Sequence, residues 1–561
     1  MMNYRIAHVL FVSWFALTWA VGTAWGQGAV SDGAESTEVA ARIRALAQED
    51  RYDSALGESV RDFYRARDFR PVWHEESRVT ALVAELEALD HDGLRPADYR
   101  PDALALAWQQ VRQQGASGGQ ALARAELGTT QRFLLALRHL HRGKVDPRTV
   151  DDDWDIPRSD FTPDMTALAQ AVETGEIEQA FDQVRPPYPP YERLREGLAR
   201  YRAIEAAGGW PTLPSRDSPL RPGDRHPDVA LLRERLGILG QPELLAADTD
   251  YYTENTLDIA VKAPNAEYYD EALARAVRRF QRHHLLEDDA VVGPRTRAAL
   301  NVDVSTRIDQ IRVNLERARW LMHDLPDSFV LVDIAGYKLS YFLGPDDVWR
   351  SRIVVGQPYR TTPSLRSSIT HLTFNPTWTI PPTIFREDKL PKIRQDLEYL
   401  QQENLTVIDF DGNRLDPEEI DWNEPGPIML RQAAGGDNPL GRVVIRFPND
   451  HSVYLHDTPS QHLFANPQRA VSSGCIRVEN AMEFVRLLLD DDRRWSAAAL
   501  QQSVASGNTR TVNLRQRVPV ILHYWTVEAN EDGHLAFRPD IYQRDGALHL
   551  ALRRPLSENF D

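Results

Sequence analysis

The sequence predicts a multidomain α+β chain with an all-helical N-terminal part, a small three-helix unit, and a mainly β C-terminal domain that carries a helical insertion. Three observations predict it. From Val60 to about Tyr201 apolar residues recur at spacings of three and four, the signature of one buried helix face. Between Val229 and Leu300 three shorter amphipathic stripes follow one another. After Leu325 the pattern changes to short β-branched and aromatic runs bounded by turn residues. A chain of 561 residues has room for three or four units at roughly 150 residues each.

The elements follow in order. Arg5, then the uncharged apolar run Val9 to Gly22, then Ala24-Trp25-Gly26 read as a secretory signal over residues 1–26. An uncleaved anchor helix is the alternative, but the run is shorter than the roughly 20 residues that span a bilayer. No other segment is long and apolar enough to cross a membrane. Residues 27–50 are polar and read as a loose leader. The helical domain is set at 35–207, with stripes such as Val79, Leu82, Val83, Leu86 and Leu89, and Phe133, Leu134, Leu137 and Leu140. Asp92-Gly93, Asp151-Asp152-Asp153 and the proline run 186–190 break it. A linker from Gly208 to Gly223 leads into the small unit, set at 216–303. Its stripes are Val229, Leu232, Leu236 and Leu239, then Leu273, Val277 and Phe280, then a short helix opened by Pro294.

The β domain is set at 325–540. Phe329–Ile334, Leu339–Phe342, Ile353–Val355 and the Ile369, Leu372, Phe374 stripe predict strands. Val443–Phe447 and Ser452–His456 flank Pro448-Asn449-Asp450 as a hairpin. Residues 383–430 interrupt the strands with a charged, helix-like stretch from Arg386 to Glu403, either decoration or a lid over a site.

Hydrophobic residues make up 42% and charged residues 26%, ordinary values for a folded protein. The formal net charge of -17 argues against a nucleic-acid partner, which needs clustered Lys and Arg. One cysteine is present, Cys475. In an exported chain a lone Cys is either a reactive thiol or a small buried hydrophobe.

Its surroundings favour reactivity. Tyr454-Leu455-His456-Asp457 leads to Ser472-Ser473-Gly474-Cys475-Ile476-Arg477, with fifteen residues between His456 and Ser472. Only a thiolate attacks, and a nearby imidazole can take the proton, so His456 is the candidate base for Cys475. Gly474 allows a tight turn, and the N–H groups from Ser473 to Cys475 are the candidate oxyanion hole. Asn480 and Glu483 suggest a capping box for a following helix, whose positive end would favour the thiolate. Arg477 would pair with a substrate carboxylate or a structural acid. A zinc site from His451, His456, Asp457 and His462 lacks the usual ligand spacing, so no metal and no cofactor is expected.

This histidine-to-Ser-x-Gly-Cys pattern resembles the L,D-transpeptidases with a YkuD-type catalytic domain. Val354-Val355-Gly356, Arg360-Thr361-Thr362-Pro363, Phe374-Asn375-Pro376, Trp378, Leu440-Gly441-Arg442 and Leu455–Pro459 look like the large, multidomain YcbB-like subgroup. Ala276–Gln281 and Val292–Leu300 resemble a peptidoglycan-binding domain, although Leu244–Tyr269 is a longer insertion than usual. The commonest form of the motif has His where this chain has Ser473, which leaves His456 as the base. The resemblance implies that Cys475 attacks the L,D amide of a tetrapeptide stem. The thioester then passes to the amine of a second stem, giving a 3→3 crosslink. It further implies acylation by carbapenems, substrate binding by Tyr454, Trp378, Arg477 and Ser472 with Tyr454 and Trp378 as pocket walls, a capping role for 383–430 and a periplasmic location. The implied partners are donor and acceptor stems, with other cell-wall enzymes beside them. Hydrolysis at the same site and an inert wall-binding scaffold are the alternatives.

Overall fold

The computed structural model describes residues 28–114, 119–239, 265–344, 347–530 and 533–556. The expected signal over 1–26 and most of the 244–269 insertion lie outside the described residues. No helix of the described residues is long and apolar enough to cross a membrane.

The N-terminal part packs α1 (Gly28–Leu46), α2 (Ala55–Arg65), α3 (Glu76–Ala88), α4 (Pro101–Gln114), α5 (Gly119–Arg142), the short strand β1 (Trp154–Asp155), α6 (Met165–Thr174), α7 (Ile177–Val184) and α8 (Pro189–Ala206). Helix α1 replaces the expected loose leader. Val39, Ile43 and Leu46 recur at helical spacing and bury with α5 in one apolar cluster. At its centre the buried Glu126 accepts from Val72 N, Trp73 N and Tyr64 Oη at 2.8–2.9 Å. Its polar demand is met inside the core.

The small unit is α9 (Pro227–Leu239), α10 (Glu271–His283) and α11 (Pro294–Leu300) around its own core of Val229, Leu232, Leu273, Val277 and Phe280. Asp270 caps α10 by accepting from Leu273 N at 2.9 Å. Helix α12 (Val304–Leu321), capped by Asp303 on Thr306 N, then runs between the helical part and the β domain.

The β domain is formed by β2 (Phe329–Asp333), β3 (Lys338–Phe342), β4 (Val348–Gly356), β5 (Ser364–Phe374), β9 (Val443–Arg446), β10 (Leu455–His456), β11 (Ala470–Ser472), β12 (Ile476–Val478) and β13 (Arg510–His523). The order β5-β13-β2-β3-β4-β12-β10-β9 returns from β9 to β5, so eight strands close the sheet on itself. Closure leaves the strands no long open edge to aggregate through. Strand β11 pairs with β4, and β1 adds to β5 from the helical part. Residues such as Val332, Leu372, Leu455, Ile476 and Leu522 fill the core, with α14 (Ala481–Leu489) packed onto them.

The insertion is not purely helical. A turn of π-helix (Phe385–Lys389) runs into α13 (Leu390–Gln395), which ends where Asp396 turns extended, so the expected Arg386–Glu403 helix is broken. The insertion also holds a three-stranded sheet in the order β6 (Trp378–Thr379), β8 (Met429–Gln432), β7 (Leu405–Ile408). Ile380, Ile393, Val407 and Leu430 give it a separate core. The predicted 443–456 hairpin is also shortened. Asn449 accepts from His451 N and Val453 N and donates to Phe447 O and Val453 O, replacing ladder bonds with a side-chain-tied loop.

Candidate active site

Strands β10 and β12 run parallel, with Leu455 opposite Ile476 and His456 opposite Arg477. Ile476 N donates to Tyr454 O at 3.1 Å, which brings Cys475 level with Tyr454. Side chains alternate faces along a strand. Leu455, Ile476 and Val478 therefore point into the core, and Tyr454, His456, Cys475 and Arg477 share the opposite face. Antiparallel β9 places Arg446 beside Tyr454, its guanidinium carbon 4.8 Å from the ring centroid.

The turn before Cys475 is tied from several sides. Gly474 has φ +111°, a conformation that favours glycine. Ser472 Oγ donates to Cys475 O at 2.6 Å and accepts from Gly474 N at 3.2 Å. Thr362 Oγ1 donates to Gly474 O at 2.8 Å, and Gln357 N donates to Ser472 O at 3.0 Å. The Gly474 N–H is thus engaged by Ser472. The N–H groups of Ser473 and Cys475 have no hydrogen bond within the described residues.

The thiol is half-buried. Its Sγ lies 3.9 Å from Ser452 O. Burial pushes the thiol pKa up, while the Tyr454 peptide and hydroxyl, Arg446 and Arg477 pull it the other way. Cys475 is therefore a neutral thiol at rest. His456 Nδ1 lies 2.6 Å from Asp457 O. A carbonyl only accepts, so Nδ1 carries the proton and Nε2 is the acceptor nitrogen. Burial, then the Arg477 charge, pushes the His456 pKa down to about 4, so the ring is neutral near pH 7. The Asp457 carboxylate is occupied by Arg442, through Nε at 2.6 Å and backbone N at 2.9 Å.

Arg477 has no acidic partner among the described residues, and its Nε is buried without a hydrogen bond. The expectation of a structural acid is not met. Trp378 packs on the core of the insertion and pairs with Gln432. The structure gives it no contact with Cys475. The expected capping box also fails. Asn480 is left-handed at φ 55° and its side chain caps nothing, while β12 separates α14 from the thiol. Arg446, Thr362 and Ser452 are site neighbours that the sequence reading missed. Alternation could have found Arg446, because Val444 and Arg446 share a face of β9 next to His456 and Tyr454. Among the described residues no group of three or more His, Cys, Asp or Glu could hold a metal ion.

Comparison with known proteins matches residues 327–513 to the family model for the L,D-transpeptidase catalytic domain. Those residues are an L,D-transpeptidase catalytic domain. Residues 58–198 match a scaffold domain, and 225–300 match a model described as "Putative peptidoglycan binding domain". A Haemophilus influenzae protein named "Putative L,D-transpeptidase" is 36% identical over 247 residues, 43% of this chain and 49% of that protein. The match thus spans about half the length of that relative. A solved L,D-transpeptidase structure from Xylanimonas cellulosilytica matches at 16% identity and a TM-score of 0.17, covering 55% of this chain and 100% of its own, too little likeness to carry an argument. In this chain the L,D-transpeptidase domain is preceded by the helical part and the small unit. It holds the four-residue face between β10 and β12.

Proposed function

We propose that this protein is a cysteine L,D-transpeptidase that joins peptidoglycan stem peptides by 3→3 crosslinks, with Cys475 as nucleophile and His456 as proton acceptor and donor. One observation carries the reading. A neutral thiol and a neutral imidazole with a free Nε2 share a sheet face with two guanidiniums, of Arg446 and Arg477, that have no carboxylate partner among the described residues. Such a face suits an anionic peptide and acyl transfer together.

In the proposed reaction Sγ attacks the carbonyl carbon of the L,D amide as its proton passes to His456 Nε2. The tetrahedral oxyanion is met by the free N–H groups of Cys475 and Ser473, not that of Gly474. The C–N bond breaks and D-alanine leaves with the proton from His456. The side-chain amine of a second stem then attacks the thioester carbonyl and gives its proton to His456; the C–S bond breaks and His456 passes that proton to the sulfur, restoring the thiol. Arg477 and Arg446 hold stem carboxylates, and Tyr454 lines the pocket. Ser472 and Gly474 shape the nucleophile turn. The substrate implies work outside the cytoplasm, which fits the 1–26 leader read from the sequence.

The test is mass spectrometry of the full chain with a disaccharide-tetrapeptide, beside Cys475→Ala. A thioester adduct and a 3→3 dimer, both absent from the variant, are expected. An adduct that yields only tripeptide would make the protein an L,D-carboxypeptidase. No adduct would sink the catalytic reading.

A further inference from the structure

The insertion and the β domain have separate apolar cores, and polar contacts bridge them beside the nucleophile turn. One side chain touches both. Arg360, in the loop between β4 and β5, spreads its guanidinium over three groups. Its Nη1 donates to Ser473 Oγ at 3.0 Å and to Asp388 Oδ2 at 2.7 Å. Its Nη2 donates to Glu387 Oε2 at 2.6 Å and to Asp388 Oδ1 at 3.0 Å. Glu387 and Asp388 lie in the π-helical turn at the start of the insertion, and Ser473 is two residues from Cys475.

The same loop holds the nucleophile turn through Gln357 N and Thr362 Oγ1. Arg360 therefore completes a third tie to that turn, and this one depends on where the insertion sits. The planar fork of an arginine suits this role, because it fixes direction as well as charge. Glu387 and Asp388 are more than 40% exposed, so water competes for the contact and it can open and close.

We propose that Arg360 is a positioning residue that couples seating of the 383–430 insertion to the set of the Cys475 turn. When Glu387 and Asp388 hold the fork, Ser473 is drawn into line and the free N–H groups beside Cys475 are aimed at the acyl oxygen. When the insertion lifts, Ser473 loses that partner and the turn relaxes. The inference rests on the reading of Cys475 as the nucleophile.

The experiment compares wild-type full chain with Arg360→Gln, Arg360→Lys, Asp388→Asn and the Arg360→Gln/Asp388→Asn double variant. Single-turnover acylation by the tetrapeptide is measured beside alkylation by iodoacetamide, which needs only an accessible thiol. Amide hydrogen exchange over 470–476 is followed in parallel. Arg360→Gln and Asp388→Asn should each slow acylation by about tenfold or more, since small misplacements of reacting groups cost that much. Arg360→Lys should fall between them and wild type. Alkylation should hold its wild-type rate in all four. Asp388→Asn should speed exchange over 470–476 although Asp388 has no hydrogen bond to that segment, and the double variant should be no slower than Arg360→Gln. Wild-type acylation by Asp388→Asn, or losses that multiply in the double variant, would overturn the coupling. If wild type itself is not acylated, the nucleophile assignment fails first and the coupling falls with it.

Discussion

Cys475 and His456 lie on one sheet face as neutral groups, and this sets a pH dependence. The thiol pKa is raised by burial, so its thiolate fraction keeps growing above the ordinary thiol range near 8.5. Iodoacetamide alkylation should therefore climb through pH 9 without reaching a plateau near 7. Arg477→Gln removes a positive charge that favours the thiolate, so it should slow alkylation at pH 8 and shift the profile further upward. An unshifted profile would show that Arg477 does not act on the thiol. His456 adds a stability term of the opposite sense. Its folded pKa is about 4, below the ordinary 6.5, so the unfolded chain takes up the proton first. Stability from this group is full above 6.5 and is lost as pH falls from 6.5 toward 4. At about 1.4 kcal/mol per pH unit the total is about 3 kcal/mol. His456→Asn should flatten denaturation midpoints over that window relative to wild type; an unchanged slope would refute the assignment.

At the scale of the element, the nucleophile turn is set by contacts from a distant loop. Thr362 is fully buried and serves Gly356 N at 2.9 Å and Gly474 O at 2.8 Å. Thr362→Val keeps the shape and strands both partners. The expected cost is about 2 kcal/mol in chemical denaturation, with slower acylation. An effect on stability alone would mean that the turn does not depend on this tie. None of this is legible locally, since Thr362 and Gly474 are far apart in sequence. The strands from β2 to β5 and β9 were legible, because Val330, Val332, Leu339 and Val354 alternate or run together as buried strands do, whereas β11, β12 and β13 were not read. Their closure into a ring was not, because register between β9 and β5 or β13 and β2 leaves no local trace. Cys475, His456 and Gly474 stood out through residue chemistry and spacing. Arg446 did not, because its relevance comes only from lying beside Tyr454 across a strand pair. The strands of the insertion were not read, because its charged residues suggested only a helix-like stretch from Arg386 to Glu403, while the Asp396 break and the β7–β8 pairing go with its own core.

At the scale of the whole molecule, α12 joins the helical part to the catalytic domain through buried charge. Arg319 is almost fully buried and donates to Glu316 Oε2 at 2.6 Å, Asp92 O at 2.8 Å and Tyr191 Oη at 3.0 Å. Glu316 in turn accepts from Val145 N at 2.7 Å. On the other side of the same helix Asn314 donates to Thr526 Oγ1 and Arg317 pairs with Asp545 near the C-terminus. The helical part also donates β1 to the sheet and places Asp153 on Arg544 at 3.0 Å. The scaffold and the catalytic domain should therefore melt together. Arg319→Met fills the same space without the charge and leaves Glu316 buried with only one donor. Breaking a buried pair in this way costs about 3–5 kcal/mol. Calorimetry should show one shared transition for these two parts in wild type, and in Arg319→Met a lower transition that separates from the closed sheet. Two independent transitions in wild type would mean that α12 is a passive linker. In that case the Asp92, Tyr191 and Glu316 network would stabilise the scaffold alone.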